Sequence, residues 1–299
     1  MSMPPVLPVR RLPAREGAGR RGPRHVSIRR LLTYAALLML LSYALLPMYW
    51  MVITAVRPVS ELVNQYPSWI PGGVELDRFG KIWEAIPLAS YMLNSGIVVV
   101  VTVLAAVTSA ALGGYALSRF DFPGNSLVVA FILFTQTIPT VVLLVPFYNI
   151  LHDAGLVNTR VALPISYTVW AVPYATLILR GYFRTAFSRE IEDAARVDGC
   201  SRVSVLWRIV LPLSLPGLIS AAMLTAVVAW NEFLWASLIA SQEQVRTVAV
   251  GLNQFVGRFG TNENLPLWMA GAVFVALPPI ILYIGAYRFV AVGYGVTER

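Results

Sequence analysis

The sequence predicts an all-α membrane protein of six transmembrane helices, with a charged, helix-bearing loop between helices 4 and 5. Three observations carry that prediction. Of 299 residues, 57% are hydrophobic and 13% charged, whereas a soluble domain averages about 25% charged residues. The apolar residues gather into runs long enough to cross roughly 30 Å of hydrocarbon as helices. The basic residues fall mostly on alternate loops, the asymmetry that orients helices in a bilayer.

The spans lie near residues 31–53, 89–117, 125–151, 161–182, 213–240 and 267–291. Residues 1–30 precede them, rich in Pro, Gly and Arg, and read as a disordered cytoplasmic tail. Arg29 and Arg30 before an apolar run faintly resemble a twin-arginine signal. The run that follows is too long for a signal h-region, so it reads as an uncleaved first span. In the second span Ala106, Ala110 and Gly114 recur every four residues, a spacing that lets helices approach closely in lipid. Pro139, Pro146, Pro164 and Pro173 fall in or beside spans three and four, where helix breaks at depth are tolerated if they line a cavity or pack on protein.

Net charge is +8, and its distribution argues against nucleic acid. With the N-terminus inside, the cytoplasmic side holds 17 of the 23 basic residues, among them Arg119, Arg180, Arg184, Arg189, Arg196, Arg202, Arg208 and Arg288. The other six, Arg57, Arg78, Lys81, Arg160, Arg246 and Arg258, fall on the exported side. Both termini are therefore expected in the cytoplasm. The exported segments 54–88, 152–160 and 241–266 carry Trp69 and Trp83 near span ends, and Trp268 opens the last span, as interfacial anchors do. One cysteine, Cys200, rules out an intramolecular disulfide.

Residues 183–212 form the charged loop. Ser188 suits an N-cap, and Glu190, Glu192 and Asp193 occupy the first turns, where the helix dipole favours negative charge. Ile191, Ala194 and Ala195 share a narrow face. Gly199 fits a C′ position needing positive φ. Ser201 can cap a second short helix bearing Val205, Leu206 and Ile209, ended by Pro212 and Pro216. An amphipathic helix lying on lipid is the competing reading, but anionic headgroups would repel these carboxylates.

This stretch resembles the EAA loop of ABC-importer permeases: Glu-Ala-Ala, three residues, Gly, then Ile-x-Leu-Pro. Here it reads Asp193, Ala194, Ala195, Gly199, Ile209, Leu211 and Pro212, with the shorter Asp193 in the Glu place and Cys200 where Ala is usual. Stretches 136–139, 146–149, 155–159, 230–235 and 248–272 are similar to sugar-type permeases of the maltose "G-subunit" group. The C-terminus, ending Thr297, Glu298 and Arg299, lacks the Lys-Gly ending common there. The resemblance implies residues 31–299 form a polytopic permease domain with a cytoplasmic coupling-helix loop between helices 4 and 5. It implies a heterodimeric pore made with a second homologous permease subunit, two ATPase subunits and an extracytoplasmic solute-binding protein. Glu192, Asp193, Ala194, Ala195, Asp198, Gly199, Ile209, Leu211 and Pro212 would then couple the pore to the ATPase. The lone lysine, Lys81, sits outside any Gly-x-x-x-x-Gly-Lys-Ser/Thr motif, so ATP and Mg would be bound by the partner ATPase, with no cofactor in this chain.

Polar residues within apolar runs are costly and by default face the bundle interior or water. Asn231 and Glu232 are the chief candidates for lining a solute path, with Trp230, Asn94 and Gln136 beside them and Tyr91 and Thr137 weaker. Trp230 and Trp235 suit stacking on a sugar ring or packing on neighbours. Enzyme readings fail for want of groups: the two histidines, His25 and His152, are isolated, and no HExxH, paired cysteine or GxSxG motif occurs. An ion-coupled secondary transporter or a membrane scaffold remain alternatives. An ion-coupled carrier has no need of the charged loop and often shows internal repeats.

Overall fold

A computed structural model describes residues 28–62, 68–259 and 264–293. Residues 1–27 of the predicted tail (1–30) lie outside the described residues, as do the last six residues, and the tail's last three, Ile28, Arg29 and Arg30, are the first turn of α1. The described chain is built of helices. They are α1 (Ile28–Val56), α2 (Val59–Leu62), α3 (Arg78–Ala85), α4 (Leu88–Arg119), α5 (Asn125–Thr135), α6 (Thr140–Asp153), α7 (Ala162–Thr185), α8 (Arg189–Val197) and α9 (Arg202–Val205). A π-helical turn (Leu206–Val210) leads to α10 (Leu211–Leu213), α11 (Leu215–Asn231), α12 (Leu234–Ile239), α13 (Val248–Phe259) and α14 (Leu265–Gly293).

Four helices, α1, α4, α7 and α14, are long and apolar enough to cross a membrane. Two bent pairs bring the number to six if each pair is one span. The fold is thus all-α and multi-pass.

Two expected spans are not straight. Residues 125–151 divide into α5 and α6, bent by 94°. Pro139 has no N–H to give a helix and disfavours a helical residue before it; α5 gives way to turns after Thr135, and Pro139 is extended (ψ 124°) before α6 begins. Residues 213–240 divide as well. The chain turns by 75° between Leu213 and Leu215, and Pro216 sits in the first turn of α11, where its missing N–H costs nothing. Pro212 does not end the helix begun at Arg202; the turn falls at Ser214 instead. At the other end α11 stops at Asn231, Glu232 is extended (φ −69°, ψ 123°), and α12 follows.

The described residues from Tyr49 onward form one compact unit. Its centre is α4 against α7, with α11 packed on both and α14 on α11. Ala106 and Ala110 are fully buried, and Gly114 brings the two backbones together: a Cβ on it would lie 3.0 Å from the Arg180 backbone nitrogen. Buried side chains gather in two clusters. One, toward the loop end of the bundle, joins Tyr115, Leu179 and Phe183 to Ala195, Val205 and Val210. The other, toward the far end, joins Tyr91, Tyr167, Trp230 and Trp235 to Val248 and Val250.

Two arginines expected simply as loop charges are buried at that far end. Arg57 lies 3.6 Å from Glu61 and over the Trp50 ring, and Arg78 donates to the Arg57 and Ala55 carbonyls at 2.6 and 3.4 Å. Arg78 thereby satisfies carbonyls at the end of α1 that the helix itself leaves orphaned, while Arg57 donates to the Ser68 carbonyl.

Candidate functional site

The charged loop folds as a helix, a turn and a second helix. Ser188 has the extended backbone of an N-cap (ψ 153°), but its side chain makes no capping bond. Gly199 takes φ +88°, as a C′ residue requires. Its N–H donates to Arg196 O at 3.1 Å and Cys200 N–H to Ala195 O at 3.0 Å, the paired bonds of a Schellman motif. Cys200 packs on the cluster that holds Ala195, the apolar contact that accompanies this motif. Ser201 caps α9 through the Ser204 N–H at 3.2 Å. The π-helical turn keeps α9 continuous with α10, Leu211 N–H reaching back to Leu206 O. Such turns are often found at functional sites.

The faces of α8 differ from the expected wheel. Glu192 and Ala195 point into the bundle and are buried, whereas Ile191 and Ala194 are exposed. The Glu192 carboxylate accepts the Tyr115 hydroxyl at 2.8 Å and pairs with Arg119 at 2.6 Å. Asp193 faces out, 3.7 Å from Arg196 one turn on. Asp198 is exposed beside Gly199. The outward surface is apolar as well as acidic: Ile191 is 44% exposed, Val197 88%, Val203 66% and Trp207 57%. Ile209 and Leu211 pack against the loop-end cluster, so they seat the second helix, and Pro212 is exposed next to them.

A second candidate region lies where the bundle is broken. The gap between α5 and α6 opens on a cavity of about 290 Å³. Thr135, Gln136 and Thr140 supply polar groups, and Phe147, Trp170, Tyr174 and Trp235 form aromatic walls. Trp170 and Trp235 meet edge to face, with centroids 4.8 Å apart. A smaller cavity of about 30 Å³ shares Trp170 and Tyr174 and reaches Thr102, Thr225 and Glu232. The spacing of Pro139 hinted at a break; nothing local in the sequence marked Trp170 or Tyr174, which sit in an ordinary apolar run.

Of the expected path residues, Gln136 and the stacking candidate Trp235 line the larger cavity and Glu232 the smaller, while Trp230 and Asn94 line other cavities. Glu232 accepts the Tyr167 hydroxyl at 2.7 Å and the Trp235 and Ala236 N–H groups at 2.9 and 3.0 Å, so it caps α12. Trp230 is buried and donates to Val275 O at 3.2 Å, tying α11 to α14. Asn231 is exposed and bonds within its own helix to Val227 O. Asn94 donates to the Gln244 and Arg246 carbonyls at 3.0 Å each, pinning the segment after α12. Tyr91 accepts from Arg246 in that segment at 3.2 Å. Thr137 bonds to Phe134 O in the break.

A family model described as the binding-protein-dependent transport system inner membrane component matches residues 109–292. The chain belongs to that family. The match contains α8, the Gly199 turn and both broken spans. The protein is therefore a membrane permease subunit of an ABC importer, a non-catalytic one.

The diacetylchitobiose uptake system permease protein of Streptomyces coelicolor is 33% identical over 242 residues, covering 81% of this chain and 87% of that protein. The sulfoquinovosyl glycerol transport system permease protein of Agrobacterium fabrum is 31% identical over 257 residues, covering 86% and 89%. Among solved structures, a chain of a bacterial ABC transporter that imports the acidic polysaccharide alginate superposes with a TM-score of 0.73 at 22% identity. That likeness covers 91% of this chain and all of the other.

Proposed function

We propose that this permease forms half of the pore of an ATP-driven carbohydrate importer in the bacterial plasma membrane, with both termini cytoplasmic. A second homologous permease subunit completes the pore. Two ATPase subunits, which bind ATP and Mg, dock beneath residues 183–212, and an extracytoplasmic binding protein delivers the solute. Residues 31–299 are the permease domain, and residues 1–30 its cytoplasmic tail. The observation that carries this reading is the outward surface of the loop, where Ile191 and Val197 of α8, Val203 of α9 and Trp207 of the π-helical turn are exposed along with the carboxylates Glu190, Asp193 and Asp198. Apolar side chains collected on a short projecting helix pair mark a protein partner. Acidic groups around them select a basic cleft and disfavour anionic lipid.

A carbohydrate suits the cavity beside the broken span. Aromatic walls stack on the apolar faces of pyranose rings, and Thr135, Gln136 and Thr140 can hydrogen-bond hydroxyls. The permease relatives named for diacetylchitobiose and sulfoquinovosyl glycerol uptake support the same class. Gln136, Trp235 and Glu232 are the path residues that face these cavities; Asn94 and Trp230 act beside them by holding the elements that shape them, and Asn231 bonds within its own helix.

The test is purification of the chain from its native membrane in mild detergent, with co-purifying proteins identified and ATP hydrolysis assayed. The expected result is an ATPase and a second six-span permease with this chain. Asp193→Arg, which reverses an exposed charge on the docking face, should lose the ATPase and keep the second permease. Recovery of the chain alone under several detergents would overturn the importer complex. Gln136→Ala should lower maximal uptake of the transported sugar about threefold or more, the worth of one lost hydrogen bond, while the ATPase still co-purifies. Unaltered uptake would remove Gln136 from the path.

A further inference from the structure

We infer that a buried Arg119–Glu192–Tyr115 latch joins α8 to the end of α4, so that movement of the coupling helix is delivered to the second span directly. This rests on the importer reading above and adds a set of positioning residues to it.

Glu192 lies on the docking helix, but it is turned away from any docking partner. Its side chain is 9% exposed and that of Arg119 is 7%. The two charges meet at 2.6 Å, and the Tyr115 hydroxyl donates to the second carboxylate oxygen at 2.8 Å. Removing one member of a buried pair leaves the other charge uncompensated, which is far costlier than losing an exposed pair. The contact therefore holds in every state in which α8 stays seated, and a pull on α8 reaches Arg119.

The end of α4 is held from several other directions. A helix leaves its last carbonyls without partners. Here the Leu117 carbonyl accepts from Arg180 on α7, and the Ser118 carbonyl accepts from Arg189 at the start of α8, each at 3.3 Å. Arg119 also donates to Phe187 O at 3.3 Å and lies over the Phe187 ring. Arg202 of α9 lies over the Phe120 ring at 5.0 Å. Guanidinium groups from α7, α8 and α9 thus converge on residues 117–120. Since α4 and α7 are in backbone contact at Gly114, the latch makes α4, α7 and α8 one body. The route to α11 is different: it passes through the π-helical turn and the 75° bend at Ser214. A displaced α8 carries α4 and α7 rigidly and reaches α11 through a joint.

The experiment uses the assembled complex in proteoliposomes, with ATP hydrolysis and uptake normalised to complex recovered. In wild type, the loaded binding protein stimulates hydrolysis and drives uptake. Arg119→Met is expected to remove that stimulation and to lower the solute moved per ATP at least tenfold. Exchanging the charges, Arg119→Glu with Glu192→Arg, is expected to restore part of both. A role confined to folding would lower complex yield and leave stimulation and solute per ATP unchanged in what is recovered; that result overturns the latch. If Arg119→Met yields no complex, Glu192→Gln decides, because it keeps the side-chain volume and the Tyr115 hydrogen bond. Loss of stimulation in that variant supports the latch, and wild-type stimulation overturns it. A wild-type chain that recovers no ATPase is a failure of the importer reading itself, distinguishable because every variant would then be silent alike.

Discussion

Replacing Gly199 by valine is expected to cut uptake about tenfold or more while the chain stays inserted at its normal level. The reason is conformational, because a Cβ at Gly199 would meet no atom within 4 Å. Its φ of +88° is the obstacle. A left-handed conformation costs an ordinary residue about 1–2 kcal/mol, and a β-branched one more. Valine relieves that strain by leaving the region, which breaks the Arg196 and Ala195 carbonyl bonds and reorients α9 against α8. The proposed docking surface depends on those two helices holding one angle. Gly199→Asn is the control, since asparagine tolerates the left-handed region; it should keep most of the uptake. Membrane level by immunoblot and uptake in the same cells check both, and normal transport by the valine variant would end the role assigned to the turn.

Gly114→Leu should have the larger effect on stability. An added Cβ there lies 3.0 Å from the Arg180 backbone nitrogen and 3.2 Å from the Thr176 carbonyl oxygen. These are backbone atoms of a neighbouring helix, and they have no rotamer to adopt. α4 and α7 would have to part along the stripe that Ala106 and Ala110 continue. Overpacking of this kind costs about 1–3 kcal/mol per site, and a leucine against backbone belongs at the top of that range. The steady-state level in the membrane should fall several-fold, as destabilised chains are degraded. Gly96 lies on the same helix with nothing within 4 Å of a Cβ. Gly96→Ala should therefore be present at the wild-type level. Equal levels of the Gly114 and Gly96 variants would show that the close approach is not needed.

What the sequence made legible were features with a local physical cause. Apolar runs gave α1, α4, α7 and α14 nearly to their ends. A glycine after an acidic-to-basic helical stretch gave the turn at 199, and a serine before another gave the cap at 201. The small-residue spacing at 106, 110 and 114 gave a contact face. What stayed hidden depended on partners distant in the chain. Periodicity alone placed Ile191 with Ala194 and Ala195. The charge of Arg119, 73 residues before Glu192, turns the helix so that Glu192 goes inward and Ile191 outward. Trp230 read equally as a stacking platform or a packing residue until Val275 O on α14 appeared as its partner. The proline at 139 signalled a break, but no local pattern gave the 94° change of direction that makes a cavity of it.

That change of direction bears on how the protein must be made. α5 has 11 residues and rises only about 16 Å, roughly half the hydrocarbon thickness. If α5 and α6 together make one span, Gln136 and Thr137 fall near mid-depth, and their side chains are exposed on this chain alone. The Thr137 hydroxyl and the N–H groups of residues 136–138 bond back to residues 133–135, but hydrocarbon offers no hydrogen bond to the remaining capacity of the exposed Gln136 amide. That amide is tolerable only when another polypeptide or an enclosed aqueous space covers it, so in the proposed two-permease pore a copy synthesised in excess of its companion would carry an uncovered polar wound into the lipid. Under that proposal, matched expression of the two pore-forming chains, with prompt destruction of any surplus, would be the cellular corollary of one proline.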